Sequence, residues 1–190
     1  MILPIVLYKN PILKEKAKEI DPLNPSHNLD DLIKIMFDTM YKANGVGLAA
    51  PQIGLSLRIF VVDSASFFTQ GKTKDLSVLN FKKVFINPKI LIKFGRKWHF
   101  SEGCLSIPNI IANVKREEEI KIEYFDEKWV RHTENFSGIP SRIIQHEYDH
   151  LEGILFIDHL SEEKIKKISP ALKKVEKGEM QVPYLTKPYL

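Results

Sequence analysis

The chain of 190 residues holds a single cysteine, Cys104. One thiol cannot close a disulfide within the chain, so the stapled secreted scaffolds are excluded and a reducing compartment is expected. Long hydrophobic runs are also missing: no apolar stretch approaches the ~20 residues that a membrane helix requires. The apolar start, Met1 to Leu7, is short, contains Pro4 and lacks a basic leader, and reads as a buried or edge segment rather than an export signal. Neither sign of charge dominates. Lysine and arginine number 28 against 24 acidic residues, a mixed excess too mild to argue for nucleic acid. There are no internal repeats. What is present is 44% hydrophobic and 27% charged residues, the composition of one globular domain. A cytoplasmic protein with neither a membrane nor a DNA partner is the expectation.

Leu29, Leu32, Ile33, Met36 and Met40 recur at helical spacing within residues 28–43, with Ser26, Asn28 and Asp30 as capping candidates. Residues 45–54 hold three glycines and Pro51 and read as a loop. Leu57 to Val62 is a compact run with several β-branched residues, which predicts a buried strand. Residues 64–83 are polar and irregular, an exposed excursion. Val84 to Phe94 reads as a strand interrupted at Asn87-Pro88, which predicts an edge or a bulge. Ile120, Ile122 and Tyr124 alternate on one face of a strand, and residues 128–136 form its hairpin partner. Gly138 and Pro140 open a helix that runs to about Leu151 and stops at Gly153. A lysine-rich amphipathic helix follows over residues 161–177, with Pro170 predicting a kink or a split. From Gln181 onward the tail reads as irregular. Strands and helices are mixed without regular strand–helix–strand alternation, which favours an α+β fold.

The strongest chemical signal is His146-Glu147-Tyr148-Asp149-His150. At about 100° per residue, positions four apart differ by only about 40°, so both imidazoles leave one helix face and can share a metal ion. Glu147 beside the first ligand is placed to activate a water. Two satisfied histidines on an ordinary helix would show the same pattern. Two ligands are also one short of a catalytic site. A third histidine six residues on would be at position 156, which is Phe156, whereas Glu162, Glu163 and Glu176 follow a helix break. Cys104, within Ser101-Glu102-Gly103-Cys104-Leu105-Ser106, offers another donor, although a buried structural cysteine accounts for it equally well. Gly45-Val46-Gly47-Leu48-Ala49-Ala50-Pro51-Gln52 lacks the lysine of a phosphate-binding loop; its small residues let the backbone pass close to something, or make a tight connection. His27, His99, His132 and His159 have no partner at metal spacing and read as surface groups.

Together the three stretches resemble the signatures of the peptide deformylases, bacterial and organellar enzymes that remove the formyl group from nascent N-formylmethionyl chains. These signatures are a Gly-x-Gly-Leu-Ala-Ala-Pro-Gln loop, a Glu-Gly-Cys-Leu-Ser segment and a His-Glu-x-x-His-Leu-x-Gly helix, matched by residues 45–52, 102–106 and 146–153. The resemblance implies antiparallel or mixed sheets packed around a central metal-binding helix. Residues 1–165 would be the catalytic domain, and 166–190 the end of its last helix and a tail. It makes Cys104, His146 and His150 the metal ligands and Glu147 the general base and acid. Gln52 and the backbone N–H of Leu105 become donors to the developing oxyanion. Gly47 and Gly103 would offer backbone contacts to a peptide lying as an added strand, and Val46, Glu102, Ile139 and Ile143 would build the methionine slot. The cofactor it implies is one divalent ion, Fe²⁺ natively, with Zn²⁺, Ni²⁺ or Co²⁺ as replacements. The lysine-rich helix contacts the ribosome in some members; a solvated face explains the same lysines. The excursion between Asp63 and Phe85 is longer than the family's connection by about ten residues, and Arg142 and Ile111 stand where members vary. The rival reading is a zinc metallopeptidase using the same helix, which needs another third ligand.

Overall fold

The computed structural model describes residues 1–23, 28–69, 79 and 81–189. Among the described residues, two β-sheets and four α-helices make an α+β fold. The larger sheet has five antiparallel strands in the order β2 (Gly47–Ala49), β3 (Ile59–Asp63), β4 (Lys82–Cys104), β5 (Ile107–Phe125) and β6 (Arg131–Ser137). The smaller sheet pairs β1 (Ile5–Val6) in parallel with β7 (Thr186–Lys187), so the two ends of the chain meet. The apolar start is therefore a buried strand: Ile5, Val6 and Leu7 are all nearly inaccessible.

Helix α1 (Leu29–Lys42) is capped by Asn28, whose side chain accepts from the Asp31 N–H, and carries Asp30 and Asp31 in its first turn, where the helix dipole favours them. Its Met36 and Met40 are fully buried against Leu48, Val61 and Ile86 of the sheet. Helix α3 (Gly138–Leu151) packs Ile139, Ile143, Ile144 and Leu151 against Phe60, Phe85, Ile120, Ile122 and Tyr124. This places it centrally, with the sheet along its length. Helix α4 (Glu162–Glu176) seats Leu172 and Val175 on Leu13, Ile107, Val114 and Phe156.

Four sequence expectations need correcting. Residues 45–54 are not a plain loop: they hold β2 and a 3-10 turn over Ala50–Ile53, because Gly47 to Ala49 pair with Phe60 to Val62. The excursion includes a short helix, α2 (Ala65–Thr69), and Phe81 is buried against the ring of Phe136, so its ends belong to the core. Its residues 70–78 and 80, like Ser26 and His27, lie outside the described residues. Pro170 does not split α4, since the proline faces solvent and burial of the opposite face holds the helix together. The tail is irregular only in part, because β7 pairs with β1. The interruption at Asn87-Pro88 is a bulge. There φ of Asn87 is 48°, the β4–β5 register shifts between Ile86 and Lys89, and the Asn87 amide bonds both the N–H and the C=O of Ile20 at 2.9 Å.

Candidate active site

Two elements converge at one end of a cavity of about 870 Å³. Helix α3 contributes His146 and His150, one turn apart, with ring centroids 5.2 Å apart. Strand β4 ends on Cys104, whose Sγ lies 3.3 Å from His150 Nε2. The donor atoms of Cys104, His146 and His150 all lie within 4.8 Å of one another. Ligands of a tetrahedral ion at ordinary bond lengths stand about 3.5 Å apart, so this donor set fits a divalent cation. Charge agrees with spacing. Burial pushes the Cys104 thiol up, but His150 and His146 outweigh it and bring its pKa down to about 5, towards the thiolate a metal needs.

Glu102 sets the orientation of His146. Its Oε2 stands 3.0 Å from His146 Nδ1, which leaves Nε2 for the centre. Both Glu102 oxygens are also held by the guanidinium of Arg116, at 2.8 and 3.0 Å, and Oε1 by Arg142 at 3.0 Å. Burial alone would raise this carboxyl's pKa; His146 and Arg116 overturn that and hold it far below the carboxylate range. Arg116 continues to Asp149 at 2.6 Å, and Asp149 accepts from His159 at 2.7 Å. His159 is at the surface, as expected, and its partner there is this carboxylate. His132 is likewise paired, with Asp126 at 2.8 Å. His99 is exposed and lines the cavity rim.

Glu147 is 4% exposed, and its Oε2 has no hydrogen-bond partner. Burial raises its pKa to about 7, against the pull of the neighbouring imidazoles, which is the range useful to a group that must take and return a proton. Gly47 makes room for it: a Cβ there would lie 2.7 Å from the Glu147 Cδ. The small-residue stretch thus does pass close to something, the carboxylate of α3. Gln52 is 1% exposed; its Oε1 accepts from the Ala49 N–H at 2.8 Å, and its Nε2 makes only long contacts, 3.5 Å to Cys104 Sγ and 3.4 Å to Ser106 Oγ.

Val46, Gly47, Gln52, Glu102, Gly103, Leu105, Ile143, His146 and Glu147 line this one cavity together with Cys104. Ile139 stands apart from that lining, buried in the core with Ile143 and Phe67. Arg142 also lines it, its guanidinium stacked 4.6 Å from the Trp98 ring centre. Sequence reasoning missed Arg116, Asp149 and the tail residues Val182, Pro183 and Tyr184, which complete the cavity wall. A signal for Arg116 existed: it occupies an inward position of the alternation Ile110, Ala112, Val114, Ile120, Ile122, Tyr124, where an apolar residue is expected. The tail carried no comparable signal.

A sulfur and two imidazoles beside a buried carboxylate, at the end of a cavity of about 870 Å³, put the molecule among metal-dependent hydrolases. The sulfur separates it from zinc peptidases whose third donor is a downstream glutamate, since Glu162 and Glu163 sit exposed on α4. The family model described as polypeptide deformylase matches residues 2–166, and the chain belongs to that family. A peptide deformylase of Christiangramia forsetii is 50% identical over 187 residues, covering 97% of this chain and 94% of that protein. One from Cytophaga hutchinsonii is 44% identical, covering 98% and 97%. Among solved structures, the Arabidopsis thaliana peptide deformylase 1B in complex with an inhibitor superimposes with a TM-score of 0.79 at 39% identity, covering 93% of this chain and 92% of that one. A Legionella pneumophila peptide deformylase gives 0.78 at 36% identity, covering 94% and 98%.

Proposed function

We propose that this chain hydrolyses the formamide of N-formylmethionyl nascent peptides with Cys104, His146 and His150 holding one divalent ion and Glu147 as general base and acid. The observation that carries the reading is the convergence of those three donors beside the buried carboxylate of Glu147, whose Oε2 has no hydrogen-bond partner. When bound, the ion supplies Lewis acidity, of the kind that lowers a water's pKa from 15.7 to about 7. Glu147 removes the proton from the attacking water and delivers it to the departing amine nitrogen. The C–N bond breaks, and the peptide leaves with a free amino group while the formyl carbon leaves as formate. Gln52 Nε2, whose present contacts are long, and the Leu105 N–H are the donors offered to the carbonyl oxygen as it gains charge. The backbones of Gly47 and Gly103 support a substrate lying as an added strand, and Val46, Glu102 and Ile143, with Ile139 behind them, shape the slot for methionine.

Fe²⁺ is the ion we assign on the family resemblance, and a thiolate with two imidazoles suits Zn²⁺, Ni²⁺ and Co²⁺ as well. A reducing cytoplasm fits such a centre, because a thiolate on Fe²⁺ is open to oxidation; among the described residues no helix is long and apolar enough to cross a membrane. Residues 1–165 carry every ligand, and 166–190 belong to the same domain by this reading. Contact of α4 with the ribosome is the finer part of the partner assignment, supported by exposed Lys164, Lys166, Lys167, Lys173 and Lys174. The deciding experiment is anaerobic release of formate from a formyl-Met peptide, with metal analysis alongside. Wild type is active; Glu147→Ala keeps fold and metal and loses at least about 100-fold in kcat. Near-normal turnover of that variant would sink the assignment.

A further inference from the structure

Leu105 and Ser106 make the two-residue turn that joins β4 to β5, between the paired Cys104 and Ile107. Two-residue hairpins ordinarily take turns with positive φ at the first or at both turn residues, because the twist of such turns matches that of the strands. Neither Leu105 nor Ser106 has positive φ, so this turn lacks that favoured geometry. Bonds from other segments add to the closing Cys104–Ile107 pair. The Tyr8 N–H, just past β1, donates to the Ser106 carbonyl at 2.9 Å. The Tyr184 hydroxyl donates to the Leu105 carbonyl, also at 2.9 Å. Tyr184 is itself fixed by the pairing of the tail with β1, through Ile5 N–H to Leu185 O at 2.8 Å and Leu7 N–H to Lys187 O at 3.1 Å. Its ring, like the Leu105 side chain, is half-buried against the core beneath α1 and lines the cavity.

We propose that Tyr184 is a positioning residue for deformylation: by holding the carbonyl of the Leu105–Ser106 peptide it restrains the turn at the Leu105 Cα, and with it the adjoining Cys104–Leu105 peptide, whose N–H points where the oxyanion develops. The inference rests on the reading of Leu105 as an oxyanion donor. It assigns a role to a segment that lies beyond residues 2–166, the stretch the family model matches. Removing one of these outside hydrogen bonds frees the Leu105–Ser106 peptide and, through the Leu105 Cα, loosens the adjoining Cys104–Leu105 peptide that carries the Leu105 N–H, and a donor that must reorganise during the reaction stabilises less. Substrate in its ground state presents an uncharged carbonyl and depends far less on this alignment.

The test uses the metal-loaded full chain, wild type against Tyr184→Phe, which keeps the ring and removes only the hydroxyl. Formate release from a formyl-Met peptide gives kcat and KM. A phosphonate analogue of the tetrahedral state and the deformylated product peptide give two affinities. The expected result is a kcat lower by about tenfold, a KM within about twofold of wild type, and phosphonate affinity reduced in step with kcat/KM. Product affinity, metal content and melting temperature stay at wild-type values. Unchanged kcat and phosphonate affinity overturn the proposal. So does a raised KM at unchanged kcat, which makes Tyr184 only a wall of the cleft, or a loss that follows metal content or melting temperature. Absence of formate release from loaded wild type overturns the reading of the site itself; active wild type with an unaffected variant overturns this inference alone.

Discussion

At Gly47 the backbone of β2 runs against the side chain of Glu147, and a methyl group there would meet the Cγ and Cδ of that glutamate at 2.7 Å. The atoms it meets belong to a side chain that can turn aside, so the fold tolerates the intrusion better than the chemistry does. If Glu147 is the base, Gly47→Ala therefore retains metal and most of its stability but displaces that carboxylate, with kcat lower by at least about 100-fold. Circular dichroism, metal analysis and formate release on one preparation check it; turnover within about twofold of wild type would show that Glu147 does not need the space. The sequence displays this glycine plainly but not its reason, because the residue that requires it lies 100 positions away on another element. The same holds for Glu102. Its position beside Cys104 is visible in the motif, whereas its three basic or imidazole partners, Arg116, Arg142 and His146, appear only once β5 and α3 are folded against β4.

The elements that read most clearly are those with a local cause. Helix α3 announces itself by Gly138, Pro140, paired histidines and Gly153, and its apolar spacing gives the face that packs on the sheet. The β4–β5 hairpin was legible only in pieces. Residues 95–104 and 107–118 interleave charges with apolar side chains because one face meets solvent, and long-range pairing across Lys97 to Glu117 and Ser101 to Asn113 extends the strands where no local propensity would. Helix α4 separates its two faces most clearly, burying Leu172 and Val175 and exposing its lysines beside Glu162 and Glu163. Two readings of that outer face give different outcomes. Replacing Lys166, Lys167, Lys173 and Lys174 by glutamate abolishes a salt-sensitive association with ribosomes if α4 docks on RNA phosphates. A solvated face predicts the same sedimentation with ribosomes before and after the change. Turnover of a free formyl-Met peptide stays unchanged under either reading, since these lysines lie outside the cavity.

Across the whole molecule the candidate metal site is backed by a chain of polar and charged side chains that is buried as far as Asp149 and reaches the surface at His159. His146, Glu102, Arg116, Asp149 and His159 run in sequence from the centre outwards, joining β4, β5, α3 and the 3-10 turn over Phe156–His159. Arg116 is the crossing point, with its side chain 2% exposed and with ion pairs to Glu102 and Asp149. Two carboxylates this deep are tolerable only while their charge is answered. Arg116→Met keeps much of the volume but removes the shared cation, leaving Glu102 with Arg142 and His146 and leaving Asp149 with His159. Breaking a buried pair in this way costs about 3–5 kcal/mol of unfolding free energy. The acceptor that orients His146 is then held less firmly, so metal affinity falls by about 10–100-fold. Denaturant unfolding of the loaded protein and competition with a chelator measure the two effects separately. Arg96→Ala, which removes the exposed pair with Glu118, serves as the control and leaves both readouts at wild-type values. If Arg116→Met lowers stability while metal affinity stays at the wild-type value, the arginine braces the fold alone and Glu102 holds His146 without it.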